Sequence, residues 1–496
     1  SHVYVDKASG YGMLVSDSTA VGTFTDVVVT NTKPEESSGY FGFGFYSGGT
    51  GVANIDRALF EGNHLAGLAS YGIGTQVTAT NVVSRATLLT PGNPANLGHG
   101  VFVNTGSEMT LSSALVEGNP FAGIHVTAEK SYLTLSETVI RDNTLDATGY
   151  RPGGLEISSG GSAEVDQVIV ENNMWFGIAI EPDGTLEGSN LVVTGTQAYN
   201  EESPLGFGII NHWDTIVSLS QCYVSDNTTM GVYSVGEEGS TPGEDVNISL
   251  RDVIITDTRP DPFTGDGGIG LYVVNGHMCT MENVTIDRNL FAGLAFANQC
   301  EATVSNLVIR DTDSSENYEH PGYFGWGLSV ESGSTFSGSH VLIEGAKDTG
   351  ALFYDTAHST LDNVVIRGTT PVSCALYESS DPAYCLAQGE TAVSRALTLE
   401  GGSIVLVTDF EFSDNGTMGV HVLLGLDSDR VPFESGPNLV LTNGGFLDHE
   451  VGICIDDLPE FNEMTLHNNV YHDEEVMISY DHMAAPITHY PDPEEQ

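Results

Sequence analysis

The sequence predicts an all-β chain that winds as a single right-handed parallel β-solenoid of about sixteen coils. Three observations lead to this prediction: strand-length segments with alternating apolar and polar residues, a glycine that recurs at regular intervals, and an asparagine four residues before many of those glycines. Alternation with a period of two is typical of strands. Connections between parallel strands are right-handed in nearly all proteins, which determines the predicted hand.

The repeating unit is clear in segment 284–296, where an alternating strand reaches Asn289, Gly293 follows four residues later, and a second alternating strand begins. Segments 114–126 and 168–180 have the same pattern. The glycine position recurs sixteen times, once as Ala396, at residues 12, 44, 67, 100, 123, 154, 177, 208, 231, 270, 293, 327, 350, 396, 419 and 452. Every second interval is 23 residues and the others are 31 to 46. The longer coils are therefore expected to carry a loop inserted at one corner.

Stacking of coils provides the core, because one coil of this length cannot bury its own apolar face. The corner asparagines are expected to adopt a left-handed backbone conformation and to hydrogen-bond to their stacked copies. They are Asn63, Asn119, Asn173, Asn227, Asn289 and Asn415. The pattern predicts a β-helix over residues 1–455 and an irregular C-terminal cap or docking tail over residues 456–496.

The unit Φ-x-Φ-x-x-N-x-x-x-G-Φ-x-Φ resembles the repeats of the right-handed parallel β-helix superfamily, which has the pectate-lyase-like fold. The resemblance covers nearly the whole chain and implies the fold. It implies no single function, because the superfamily includes polysaccharide lyases, hydrolases, epimerases, phage tailspikes, adhesins and structural proteins.

The charge balance excludes several classes of partner. The chain has 67 Asp and Glu against 15 Lys and Arg, a formal net charge of −52. Nucleic-acid binding needs clustered cations and is not expected, and a basic cleft for pectate or alginate is disfavoured. No apolar run is long enough for a membrane span. An acid-rich, lysine-poor surface suits a salt-rich exterior, so the predicted location is extracellular or the cell surface.

Two functions are predicted. The first is a structural solenoid that self-assembles as a fibre or sheath subunit, since the array begins in mid-coil at Val3 and a second copy could stack on that open coil. The open coil is also explained if Ser1 is a cut within a longer chain. The second function is a carbohydrate-binding or inverting polysaccharide-hydrolysing β-helix protein.

The candidate ligand-binding residues are in the strand after each glycine, whose second residue is expected to point outward. They could stack on sugar rings, or they could pack beneath the long loops. These residues are Tyr46, Phe102, His125, Tyr233 and Tyr272. No Lys or Arg lies in this outward column, which disfavours a lyase with an arginine base.

If the protein is an enzyme, the best acid pair is Glu156 and Glu181, with His212 beside it. The two glutamates are one coil and two residues apart, which corresponds to about 8 Å and lies within the roughly 6.5–9.5 Å expected of an inverting pair. Two solvated glutamates in an acid-rich chain would show the same spacing.

The acidic loop that contains Asp311, Asp313 and Glu316 is a candidate calcium site, although an ordinary acidic loop would look the same. No other cofactor is predicted. Cysteine spacing suggests disulfide bonds. Cys374 and Cys385 lie eleven residues apart in the longest insertion, where a cross-link would hold the loop. Cys279 and Cys300 lie in adjacent coils but two residues out of register, so they can pair only if the turn bends them together.

Overall fold

The computed structural model describes residues 2–89, 98–143, 153–198, 205–240, 247–314, 325–355, 357–373, 392–423, 437–449, 451–455, 463–472 and 476–479. The chain divides into two compact units. The first comprises residues 1–235, 247–253 and 261–263, and the second comprises residues 236–246, 254–260 and 264–496.

In the first unit, successive coils contribute to two parallel sheets. The short-strand sheet consists of β2 (Tyr11–Ser16), β4 (Phe43–Gly48), β6 (Ala66–Tyr71), β8 (His99–Asn104), β11 (Ala122–Thr127), β13 (Gly153–Ser158), β15 (Phe176–Ile180), β17 (Phe207–Asn211) and β20 (Met230–Val235). The long-strand sheet consists of β1 (Val3–Asp6), β3 (Val21–Thr30), β5 (Val52–Glu61), β7 (Gln76–Arg85), β9 (Glu108–Ser112), β10 (Leu115–Glu117), β12 (Tyr132–Arg141), β14 (Ser162–Glu171), β16 (Thr185–Thr194), β18 (Ile216–Ser220), β19 (Tyr223–Ser225) and residues 248–253 of β21 (Ile248–Thr256).

The second unit has the same two kinds of sheet. Its short strands are β22 (Ile269–Val274), β24 (Ala292–Ala297), β26 (Trp326–Val330), β28 (Thr349–Phe353), β32 (Arg395–Glu400), β34 (Met418–Leu423), β36 (Val451–Ile455) and β38 (Val476–Ser479). Its long strands are β23 (Met278–Asp287), β25 (Glu301–Arg310), β27 (Thr335–Glu344), β29 (His358–Arg367), β33 (Ile404–Ser413), β35 (Asn438–Leu447) and β37 (Glu463–His472). A small antiparallel pair joins β30 (Val372–Ser373) and β31 (Ala392–Val393).

The predicted fold class is confirmed: the chain folds as a right-handed parallel β-helix. Each of the sixteen predicted glycine positions is the second residue of a short strand. The reason is steric. A Cβ added to Gly44 would lie 2.5 Å from the carbonyl oxygen of Gly67 in the next coil and 2.7 Å from Nδ2 of Asn63. The position faces the crowded corner, which leaves almost no room for a side chain.

The expected hydrogen bonds between stacked asparagines are present for Asn119 and Asn173, which are joined through Asn143. Asn143 donates its Nδ2–H to Oδ1 of Asn173 at 2.8 Å, and Asn119 donates its own to Oδ1 of Asn143 at 3.0 Å. The other predicted corner asparagines accept a hydrogen bond from the backbone N–H of a threonine in an adjacent coil; they are Asn63, Asn227, Asn289 and Asn415.

The backbone conformation of the corner asparagines differs from the prediction. The left-handed residue is the one before the asparagine, such as Gly118 (φ 64°) or Asn172 (φ 53°). The preceding residue therefore makes the turn, and the buried asparagine side chain satisfies backbone groups of adjacent coils.

Most long strands contain a second bend. Single residues with positive φ interrupt them, for example Arg57, Asn81, Gln167 and Asn306. Each such strand is therefore two short segments, so a coil with one short strand and one bent long strand has three strand segments. Parallel pairing also continues beyond Ile455, where β37 pairs with β35 and β38 pairs with β36. The other residues of the predicted cap lie outside the described residues.

Candidate functional site

The structure places Glu156 and Glu181 on the outer face of the short-strand sheet in the first unit. Glu156 is the register partner of Ala179, and Glu181 follows two residues later on the same coil. This offset of one coil and two residues corresponds to about 8 Å. The two side chains are 18% and 25% exposed, so solvent reaches both.

A histidine accompanies each glutamate. Nε2 of His125 lies 3.6 Å from Oε1 of Glu156, and Nε2 of His212 lies 3.7 Å from Oε1 of Glu181. Nε2 of His125 also lies 3.0 Å from Oγ of Ser158, which donates to Oγ1 of Thr127 at 2.9 Å. Four consecutive coils thus bring two Glu–His pairs onto one face. His125, which the sequence predicts as a ligand-binding residue, lies beside Glu156 of the acid pair.

Burial keeps the histidine beside Glu156 uncharged. Loss of solvation lowers the pKa of His125 to about 4. The ring of His99, which is fully buried, lies 5.0 Å from the ring of His125, and burial lowers its pKa as well. At neutral pH His125 is therefore an uncharged neighbour of the Glu156 carboxyl group, and its Nε2 hydrogen-bonds to Ser158.

The outward aromatic residues are less accessible than a stacking role requires. Phe102 and Tyr272 are each 8% exposed, and Phe102 stacks on His99 with ring centroids 4.8 Å apart. Tyr233 stacks on Phe207 at 5.4 Å. Burial raises the pKa of Tyr233 to about 12. The low exposure of Phe102 and Tyr272 favours the alternative in which these side chains are packed, and their role in ligand binding stays a prediction.

The outer face carries an apolar layer of its own, which explains this burial. Tyr46 packs against Phe43 and Tyr11 with ring centroids 5.1 and 5.3 Å away. Burial raises the pKa of Tyr46 to about 12. Alternation along a strand predicts which side chains point outward. It does not predict that neighbouring apolar side chains on the outer face bury them.

Two exposed aromatic side chains of the first unit are Trp213, which lies beside the acid pair, and Tyr71, which lies several coils earlier. Trp213 is 41% exposed and follows His212 directly, with the two rings perpendicular and their centroids 5.5 Å apart. Tyr71, earlier along the same outer face, is 40% exposed. Alternation along the strand does not point to Trp213, because this residue lies in the turn after the outward position. The sequence feature that could have indicated this residue is an aromatic side chain directly after an outward histidine.

The second unit contains a buried polar cluster that the strand pattern does not predict. Arg395 forms an ion pair with Asp348 at 2.7 Å, and its Nε donates to Nδ1 of His421 at 3.1 Å. Arg395 lies immediately before Ala396, a position that also faces outward and was not among the predicted columns. Its guanidinium is held by the carboxylate, so this arginine is a structural cation.

The candidate calcium site is only partly described. Asp313 forms an ion pair with Lys347, while Glu316 lies outside the described residues. In the described part of the chain, no three His, Cys, Asp or Glu side chains form a group that could hold a metal ion. The backbone N–H of Asp311 donates to the carbonyl of Glu344. Calcium binding stays a prediction.

Of the two predicted disulfides, the Cys374–Cys385 pair lies outside the described residues. The Cys279–Cys300 pairing is wrong: both are buried free thiols. Cys279 is in register with Ala302, so Cys300 is two residues away from the stacked position. Burial raises the pKa of Cys279, and it raises the pKa of Cys300 to about 12.

In the first coil, β1 pairs with β3 and β2 pairs with β4. Coverage of this coil by a second subunit, as the fibre hypothesis requires, stays a prediction. Among the described residues there is no helix long and apolar enough to cross a membrane.

Coils stacked into two parallel sheets, with polar residues on the outer face of one sheet, define a right-handed parallel β-helix protein. The sequence matches the family described as "Right handed beta helix region" over residues 2–145 and 214–370, more than half of the chain, and the chain belongs to this family. No curated protein matches it.

Three solved structures illustrate the similarity. The A-module of a mannuronan C-5 epimerase of Azotobacter vinelandii is 14% identical, with 82% of this chain and 90% of that one covered and a TM-score of 0.37. A mannuronic-acid-specific family 6 lyase from human gut microbiota is 9% identical, with 85% and 78% covered and a TM-score of 0.37. PfbA, a surface adhesin of Streptococcus pneumoniae, is 11% identical, with 87% and 86% covered and a TM-score of 0.27. At these values the similarities carry no argument about activity.

Proposed function

We propose that the protein is an extracellular or cell-surface polysaccharide hydrolase that inverts the anomeric configuration at the cleaved bond. The observation that supports this proposal is the spacing of Glu156 and Glu181. Their offset of one coil and two residues gives about 8 Å, which leaves room for a water molecule between a sugar ring and the second carboxylate.

In the proposed reaction one carboxyl group acts as the general acid and the other as the general base. One carboxylic acid protonates the glycosidic oxygen as the bond to the leaving sugar breaks. The other carboxylate takes a proton from water as that water attacks the anomeric carbon from the opposite face. Each glutamate has a histidine ring nitrogen within 3.7 Å of one carboxyl oxygen. Partial exposure of both side chains lets a polymer chain approach from outside the sheet.

Two isosteric variants test this function. We expect Glu156→Gln and Glu181→Gln each to lower the release of reducing ends by about 10²–10⁴-fold, because each removes a proton-transfer group. Candidate substrates are laminarin, xylan and galactomannan. Proton NMR of the first product should show the inverted anomer. Glu187→Gln, which changes an exposed glutamate on the long-strand sheet, is the matched control.

The proposal fails if none of these polysaccharides is cleaved by the wild-type protein. It also fails if both glutamate variants retain wild-type rates, or if the first product retains its configuration. Binding without cleavage in every case would indicate a carbohydrate-binding protein in place of a hydrolase.

A further inference from the structure

We propose that Trp213 is the platform on which an uncharged glycan chain stacks beside the acid pair. This inference rests on the proposed function, because it names the class of substrate and one residue that binds it. The nearest proposed catalytic group is Glu181, which contacts His212, and the His212 ring in turn contacts the indole.

The first support is exposure. Trp213 is 41% exposed, whereas Trp326 is 3% exposed and Trp175 is partly buried. A large aromatic side chain in contact with water has an unfavourable free energy of solvation that a ligand can relieve. Pyranose rings present a face of C–H groups, which packs against the flat apolar face of an indole. The residue is therefore suited to a sugar ring.

The second support is the rigidity of the turn that presents the indole. Thr215, only 1% exposed, donates its hydroxyl to the carbonyl of His212 at 2.5 Å and also hydrogen-bonds to the side chain of Asn211. The backbone of Ile216 donates to Gly184 of the preceding coil at 3.2 Å. Binding therefore requires little ordering of this turn, which favours affinity.

The third support is charge, which selects the substrate class. Asp214 follows the indole directly, and Asp183 donates its backbone N–H to the carbonyl of Asp214 at 3.1 Å, which brings a second exposed aspartate to the same corner. With Glu181 nearby and a formal net charge of −52, an anionic chain such as alginate is repelled. A neutral chain meets no such barrier.

The other exposed aromatic residue indicates the direction of the chain. Tyr71, Asn104, Thr127 and Ser158 are register neighbours on successive coils. The same line continues to Glu181 and ends beside His212. Five coil spacings separate Tyr71 from His212, a length of roughly 24 Å. A glycan that follows this line would lie across the acid pair with an aromatic side chain at each end.

Tryptophan fluorescence and equilibrium binding test the inference. The probes are hydroxyethylcellulose, laminarin and galactomannan as neutral glycans, with alginate as the anionic one. We expect at least one neutral glycan to reduce acrylamide quenching of the exposed indole. Trp213→Ala should weaken its binding by about tenfold or more, while Trp213→Phe retains most of it. Tyr223→Ala, an aromatic side chain with 40% exposure on the long-strand sheet, is the control and should bind as the wild type does.

The inference is overturned if no neutral glycan binds, if alginate binds as tightly as the best neutral glycan, or if Trp213→Ala binds like the wild type. These results are separable from failure of the proposed function. Binding that depends on Trp213, without any cleavage, removes the hydrolase proposal and keeps this one. Cleavage that depends on Glu156 and Glu181, with binding indifferent to Trp213, does the reverse.

Discussion

Arg395 and Asp348 form an ion pair, 2.7 Å long, in which the two side chains are only 5% and 6% exposed. Nε1 of Trp326 donates to the second oxygen of the same carboxylate at 3.2 Å. The carboxylate therefore has a partner on each oxygen. A buried charge is tolerated only when such partners replace the water that it lost.

Loss of one partner should destabilise the second unit. Asp348→Asn keeps the shape of the side chain but leaves Arg395 buried without its counter-charge. We expect the free energy of unfolding to fall by about 3–5 kcal/mol in urea denaturation followed by circular dichroism. Glu344→Gln is the control, because it breaks the exposed pair with Arg367 and should cost less than about 1 kcal/mol. Equal losses of stability in the two variants would contradict the conclusion that the Arg395–Asp348 pair is buried and stabilising.

The corner ladder should also be sensitive to substitution. Asn173→Ala removes the acceptor for two N–H groups of Asn143, at 3.2 and 2.8 Å, and a donor to the carbonyl of Ile140. Because all these groups are buried, we expect a loss of about 2–4 kcal/mol in the same measurement. Asn54→Ala, at an exposed strand position, should stay within about 0.5 kcal/mol of the wild type. A loss of under 1 kcal/mol at Asn173 would show that the ladder is dispensable.

Glu331 should make the protein less stable as the pH rises. Burial, together with the charge of Asp355, raises the pKa of Glu331 to about 7 from its ordinary value of 4.5. Between these two values the folded state binds more protons than the unfolded state, so the free energy of unfolding decreases as the pH increases. The decrease is at most about 1.4 kcal/mol per pH unit. Glu331→Gln should remove this contribution to the pH dependence of the free energy of unfolding, measured by urea titration at pH 5 and pH 8. An unchanged pH dependence would disprove the raised pKa of Glu331.

His125 should have the opposite effect. Its pKa is about 4 in the folded protein, against an ordinary value of 6.5. Between pH 6.5 and pH 4 the unfolded state binds the additional proton, so stability is lost as the pH falls through this range. His125→Phe should be less sensitive to acid than the wild type in thermal melts at pH 5 and pH 7. His358→Gln, at an exposed position, should leave the acid sensitivity unchanged. The same acid sensitivity in His125→Phe would refute the assignment.

Repetition explains why the fold could be predicted from the sequence. In each coil the same corner leaves almost no room for a Cβ, so a small residue recurs there. The positions of Gly44, Gly208 and their equivalents therefore mark successive coils in the sequence. The pair Glu156 and Glu181 could be predicted for the same reason, since stacking converts a sequence offset into a distance.

The tertiary structure alone decided which outward residues meet solvent. Phe102 and Tyr272 alternate correctly, yet both are buried, Phe102 within an apolar cluster on the outer face. Trp213 is exposed because it lies in a turn. It also decided which charges pair, since Arg395 and Asp348 are 47 residues apart in sequence. Alternation describes each strand separately, whereas burial and ion pairing depend on what the rest of the chain places against that strand.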